Sequence, residues 1–257
     1  MLLTEFDANR QAIINPEDLN EPLEGVPKIA VSCFSRSTFQ RMLEMFPHEL
    51  IYETSMANVA IPIYKLVIDN NELALFNAPV GASACVAILE DIFALGADKL
   101  VLFGTCGVLD EDIKETSIII PSHALRDEGT SFHYVEASDE IEVNVGVLER
   151  FRSYLNERQI SHKEGKVWTT DGIYRETNGK LKARKAAGAI CVDMECSAVA
   201  ALAAYRGFEL CHFFYAADHL SEEKWDIRTL SSHEDLDSKD RIADLAIQFA
   251  LFWEKAN

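Results

Sequence analysis

Short apolar runs alternate along this chain with longer stretches whose apolar positions recur at helical spacing. Lys28-Ile-Ala-Val-Ser32 reads as a buried strand, and a helix follows from about Ser37 to Met45. Ile61 to Ile68 alternates, breaks at Asp69-Asn70-Asn71 and resumes over Leu73 to Asn77, which is a hairpin pattern. Ser83 to Leu95 predicts a largely buried helix, apolar on several faces and closed by Gly96. Leu100 to Phe103 and Ser117 to Ile120 are wholly apolar strands, as expected where a parallel sheet is covered on both faces. The pattern then gives helices over Asn144 to Arg158, Gly179 to Ala187, Ser197 to Tyr205 and Glu234 to Ala256. Strands are expected at Lys166 to Trp168, Gly188 to Val192 and Glu209 to Tyr215.

Such alternation predicts an α/β fold, a three-layer sandwich with a mixed central β-sheet flanked by helices. No repeat, low-complexity tract or linker interrupts it, so one domain over 1–257 is expected. Residues 1–27 are acidic and carry Pro16, Pro22 and Pro27, which predicts an irregular or hairpin lead-in.

Composition narrows the function classes. With 257 residues, 48% of them hydrophobic, the chain can bury a large core. No apolar run approaches the ~20 residues that span a bilayer. The N-terminus has neither the basic segment nor the apolar segment of a secretory signal, which makes a cytoplasmic location the expectation. A net charge of −18 argues against nucleic acid or an anionic membrane as partner, since phosphate backbones are bound by a positive footprint. A small anion stays compatible, because one arginine or a nest of backbone amides overrides the global field locally. Cys33, Cys85, Cys106, Cys191, Cys196 and Cys211 are scattered without C-x-x-C or Cys/His metal spacing, so neither disulfides nor a metal site are expected.

Five segments carry candidate chemistry. Asp193-Met194-Glu195 follows the strand ending at Val192 and precedes a small-residue helix. At the carboxyl end of a strand a carboxylate opens into the ligand crevice, where it can accept two hydrogen bonds from a vicinal diol while a methionine packs under a sugar ring. The plainer reading is a helix N-terminus with an acidic first turn. Phe103-Gly104-Thr105-Cys106-Gly107 follows another strand, and two glycines around a hydroxyl residue suit either an anion-binding nest or a tight turn. Ala124 to Tyr134 gathers Arg126, Ser131 and His133 into either an active-site loop or a loop with internal hydrogen bonds. Trp168 to Thr177 contains Asp171, Ile173, Tyr174 and Arg175 at a strand end, and Asp218 lies after the last strand as either a catalytic acid or a helix cap.

These segments, in this order, resemble the nucleoside phosphorylase/nucleosidase superfamily, on its uridine phosphorylase and hexameric purine nucleoside phosphorylase side. Val192 to Ala198 resembles V-x-M-E-x-[SA]-A, Gly104 to Gly107 resembles G-T-[TS]-G, and Arg126, Gly129, Ser131 and His133 fit V-R-x-x-G-x-S-x-H-F. Asp171 and Tyr174 fit S-x-D-x-F-Y, with Ile173 where the family has phenylalanine, and Asp218 fits the aspartate of S-D. The resemblance covers residues 28–250 and implies cleavage of the N-glycosidic bond of a nucleoside, by phosphorolysis or, as the alternative, by hydrolysis; a silent nucleoside-binding protein is a third possibility. It implies that Glu195, Met194 and Asp193 hold the ribose, Asp218 acts on the base, and Thr105, Cys106, Gly107, Ile173, Tyr174 and Arg175 contact substrate. It further implies Gly104, Thr105, Arg36 and Arg126 at phosphate, inorganic phosphate as co-substrate without metal or organic cofactor, and a homo-oligomer.

Two departures bear on this. Leu102 replaces a phosphate-binding arginine, and the 51–60 stretch carries none for the site of a neighbouring subunit. The residues by which uridine phosphorylases read uracil have no counterpart at the same spacing, which turns the expected base toward a purine.

Overall fold

Strand β5 (Lys99–Val108) organises the fold, because its successive side chains serve two different apolar layers. Leu100 and Leu102 pack with α2 (Ala82–Ala94) and α5 (Cys196–Arg206). Val101 and Phe103 pack with α1 (Arg36–Met45), α3 (Leu148–Glu157) and α6 (Leu236–Lys255). The computed structural model describes residues 2–228, 230 and 236–255, and over these the arrangement is the expected mixed sheet between two helical layers. Of the helix expected from Glu234 to Ala256, residues 234, 235 and 256 lie outside the described residues.

The other strands are β1 (Ile29–Cys33), β2 (His48–Met56), β3 (Val59–Ile68), β4 (Asn71–Asn77), β6 (Ile118–Asp127), β7 (Glu140–Glu142), β8 (His162–Thr170), β9 (Ala189–Asp193), β10 (Glu209–Leu220) and β11 (Trp225–Asp226); α4 spans Asn178–Ala186. The sheet order is β11-β10-β6-β8-β9-β5-β1-β4-β3-β2, with β7 on the edge of β6. Because β10 also pairs with β5, strands β5, β10, β6, β8 and β9 close into a ring. The carboxyl ends of β5, β8, β9 and β10 therefore meet at one end of that ring.

Several expectations need correction. Gly104 to Gly107 form no turn or nest: β5 runs on in extended backbone to Val108, paired with β10 and β9. The glycines answer to close approach, since a Cβ on Gly104 would stand 2.6 Å from Cδ2 of Phe34. Asp218 is no helix cap but a residue of β10, placed just after a bulge where Ala216 pairs with Cys106 and Asp218 with Gly107. The extra residue reverses which face Asp218 presents. The third helix starts at Leu148 instead of Asn144, which takes φ +58° and pins two segments: its amide donates to the carbonyls of Pro121 and His212 at 3.0 and 2.9 Å. The lead-in is irregular, with one-turn helices at Leu2–Thr4 and Pro16–Asp18 and no hairpin among its described residues.

Candidate active site

The turn from β9 into α5 is built around Asp193. Its Oδ2 accepts from the backbone N–H groups of Glu195 at 2.9 Å and Cys196 at 2.7 Å, capping the helix, and its Oδ1 accepts from the Thr169 hydroxyl at 2.7 Å. Burial, opposed by these donors and reinforced by the charge of Glu128, pushes the Asp193 carboxyl up to about 6. Asp193 lines the cavity described below, yet both of its oxygens are engaged by the protein, so it shapes the site rather than offering an open acceptor.

Glu195 emerges from that turn with its side chain buried, and its Oε1 accepts from the backbone N–H of Gly81 at 2.6 Å. Gly81 takes φ +101° at the start of α2, a conformation that favours glycine. Burial, then the charge of Asp193, pushes the Glu195 carboxyl up to about 8.

Glu195 and Met194 face a cavity of about 540 Å³ together with Thr105, Cys106, Gly107, Ile173, Tyr174, Val192 and Asp218. Gly107 is the floor beneath Asp218: a Cβ there would lie 2.5 Å from Leu220 Cδ1, 3.2 Å from Val192 Cγ1 and 3.3 Å from Asp218 Oδ1. Burial raises the Asp218 carboxyl, against the hydrogen bond that its Oδ2 accepts from the Trp225 indole N–H at 2.7 Å. Tyr174, 94% exposed, and Ile173, 51% exposed, sit at the mouth.

Other expected site residues are elsewhere. Gly104 and Arg175 do not line the cavity, and Arg36 is exposed on the first turn of α1. Arg126 is buried and spends its guanidinium inside its own loop, donating to the Ser131 and Ser138 hydroxyls at 2.9 and 2.8 Å and to the Glu136 carbonyl at 2.8 Å. That loop braces the site from behind. Glu128 accepts from the Ser197 hydroxyl at 2.8 Å, and the Ser197 N–H donates to Thr169 at 3.1 Å, which in turn holds Asp193. Leu102 is fully buried in the core and does not reach the cavity.

Sequence reasoning missed Phe34, Val80, Glu176 and Trp225, all of which line the cavity. Glu176 follows the one-turn helix Ile173–Arg175, and burial, then the charge of Asp218, pushes its carboxyl up to about 7. A side chamber of about 280 Å³ adjoins the cavity through Phe34, Val80, Thr105 and Leu230. Its further lining combines Ser35, Ser37, Thr38, Arg41 and Lys239 with Tyr215 and Leu236, and Arg41 is paired to Asp240. Among the described residues no group of three or more His, Cys, Asp or Glu is placed to hold a metal ion, and no helix is long and apolar enough to cross a membrane.

A carboxylate and methionine at a strand end, facing an aspartate across one cavity, is the arrangement that the sequence resemblance implied, and the comparison with known families decides its origin. The signature of the phosphorylase superfamily matches residues 28–250. The chain belongs to that superfamily. Its solved relatives share the superfamily fold. A purine nucleoside phosphorylase of Toxoplasma gondii, solved with immucillin-H, gives a TM-score of 0.77 at 17% identity, over 93% of this chain and 98% of that one. A uridine phosphorylase of Vibrio fischeri gives 0.74 at 17% identity, over 92% and 97%. Among curated sequences, the DeoD-type purine nucleoside phosphorylases of Bacillus cereus and Bacillus thuringiensis are each 27% identical over 144 residues, 54% of this chain. The chain thus spans 59% of the length of those curated relatives.

Proposed function

We propose that this protein cleaves the N-glycosidic bond of a nucleoside by phosphorolysis, giving free base and ribose 1-phosphate. The observation that carries the reading is the pairing of Glu195, held by the Gly81 N–H beside Met194, with Asp218 on the same cavity. Glu195 accepts the ribose 2′- and 3′-hydroxyls, and Met194 packs under the ring. As the bond to the base lengthens, positive charge grows on the ribose and electrons flow into the base. Asp218, whose carboxyl burial favours in the neutral form, donates a proton to the departing base, N7 in a purine. Such general acid catalysis contributes roughly two to four orders of magnitude in rate.

Thr105 borders both the cavity and the side chamber, so an anion in that chamber has direct access to the sugar. For phosphate as co-substrate the chamber offers Ser35, Ser37, Thr38, Lys239 and Arg41, the last shared with Asp240; Arg36 and Arg126 do not line it. The absence of the expected arginines from the cavity favours a second reading, a nucleosidase that admits water in place of phosphate. The reading includes no metal or organic cofactor and takes a purine as base, with a role in nucleoside salvage or catabolism in the cytoplasm. Homo-oligomerisation belongs to it as well, supported by the exposed apolar rim of Val80, Ile173 and Tyr174 at the cavity mouth. A panel of purine and pyrimidine nucleosides, assayed for free base with and without phosphate, tests it: phosphate-dependent release supports phosphorolysis, and phosphate-independent release supports the nucleosidase.

A further inference from the structure

Trp225 is an unusual partner for the acid of this cavity. It sits on β11, a two-residue strand held to β10 by the pairs His219–Asp226 and Leu220–Trp225, so its position follows the strand that carries Asp218. The residue is 57% exposed and lines the cavity, while its indole N–H donates to Asp218 Oδ2 at 2.7 Å. Of the four carboxyl groups on this cavity, Asp193 and Glu195 take their donors from backbone N–H groups or Thr169, and Glu176 has no hydrogen-bond partner among the described residues. Asp218 alone is held by a side chain that itself forms part of the cavity wall.

The two oxygens of Asp218 are thereby made unequal. An oxygen that accepts a short N–H bond is the carbonyl-like one of a neutral carboxyl group, so the proton resides on the other, Oδ1. Oδ1 is the oxygen that lies toward Gly107, itself part of the cavity lining, 3.3 Å from where a Cβ on that glycine would stand. We propose that Trp225 is the positioning residue of the proposed reaction: it fixes the proton of Asp218 on Oδ1, aimed at the departing base, and stabilises the carboxylate left after the proton is given. The inference rests on the reading of Asp218 as the acid. Asp218 faces Glu176 from beside α4, His219 from its own strand and Arg228 beyond β11, so its titration answers to all three as well as to burial.

The test uses Trp225→Phe, which keeps the ring and removes the donor, and Trp225→His, which restores an N–H. Rates are measured on a purine nucleoside and on a nitrophenyl riboside, whose leaving group needs no proton, across pH. Trp225→Phe is expected to slow the purine nucleoside about 10- to 100-fold and the nitrophenyl riboside less than about three-fold, with partial recovery in Trp225→His. The carboxyl signal of Asp218, followed by carbon NMR and assigned with Asp218→Asn, is expected to titrate about one pH unit higher in Trp225→Phe. Equal slowing of both substrates, or an unmoved Asp218 titration, overturns the proposal. If no nucleoside is cleaved but the Asp218 titration moves as stated, the phosphorolysis reading fails while the Trp225–Asp218 coupling stands.

Discussion

The backbone N–H of Gly81 donates to Oε1 of Glu195 at 2.6 Å, tying the start of α2 to the start of α5 across the cavity. One lone pair region of the Glu195 carboxyl is thereby fixed, and the remainder is left for a ligand. Because burial and Asp193 push this carboxyl up to about 8, it is held at a cost that, on the proposed function, the ribose hydroxyls offset.

Glu195→Gln should therefore lose activity and gain stability. Turnover of ribonucleosides is expected to fall by about 10²–10³-fold, since a buried group placed for a substrate hydroxyl discriminates strongly. The sign for stability follows from the raised value: the folded state binds the proton more tightly than the unfolded chain between its ordinary value of 4.5 and about 8, so the wild type loses stability as pH rises through that window. Thermal melting should place Glu195→Gln several degrees above the wild type near pH 8, with the gap closing near pH 5. A gap independent of pH would contradict the assignment.

Gly107→Ala tests the cavity floor. The added methyl would meet Leu220, Val192 and Asp218 at 2.5 to 3.3 Å, so Leu220 must swing into the cavity and Asp218 must shift. A displacement of this kind at a reacting group costs about 100-fold in rate, while a single methyl in a partly open site costs about 1 kcal/mol of stability or less. Kinetics and melting measured together check the contrast; a large stability loss with normal kinetics would refute it.

Glu176 should report on the pH dependence of nucleoside cleavage. Its carboxyl, pushed up to about 7 by burial and the charge of Asp218, gains a negative charge on the cavity wall as pH rises through that value. The pH profile of kcat/KM is expected to bend near 7 in the wild type and to lose that bend in Glu176→Gln. An unchanged profile would remove Glu176 from the site.

His212 carries a separate prediction about the core. Its ring is fully buried beside Phe214, centroids 4.6 Å apart, with neither nitrogen hydrogen-bonded among the described residues, and burial lowers it to about 3. The unfolded chain therefore binds a proton that the folded one refuses between about 6.5 and about 3, and folding stability falls as pH drops through that range. His212→Leu should raise stability by about 1–2 kcal/mol near pH 5 and by less near pH 8. Denaturant unfolding at both pH values checks it.

The central elements were legible because their side chains answer to one rule each. Leu100 to Phe103 is apolar on both faces since the sheet is covered on both, and Asp69-Asn70 at φ +48° and +63° makes the turn that the hairpin pattern anticipated. Strand β2 escaped because it is an edge strand with mostly exposed residues, including Glu49 and Glu53, and shows no alternation. The glycines at 104 and 107 misled for a physical reason: glycine serves close approach as well as turns, and the ring of Phe34 that approaches Gly104 comes from 70 residues earlier. Glu195, Met194 and Asp218, singled out because strand ends gather chemistry, line one cavity. Trp225 and Arg126 were not readable in the same way, since a side chain's direction depends on partners that lie in other segments.

The identity of the sugar product tests the central claim most directly. With a purine nucleoside and phosphate, the account predicts ribose 1-phosphate, formed at a rate that rises with phosphate and falls when Thr105 is replaced by alanine. Free ribose, formed at a rate indifferent to phosphate, would contradict it.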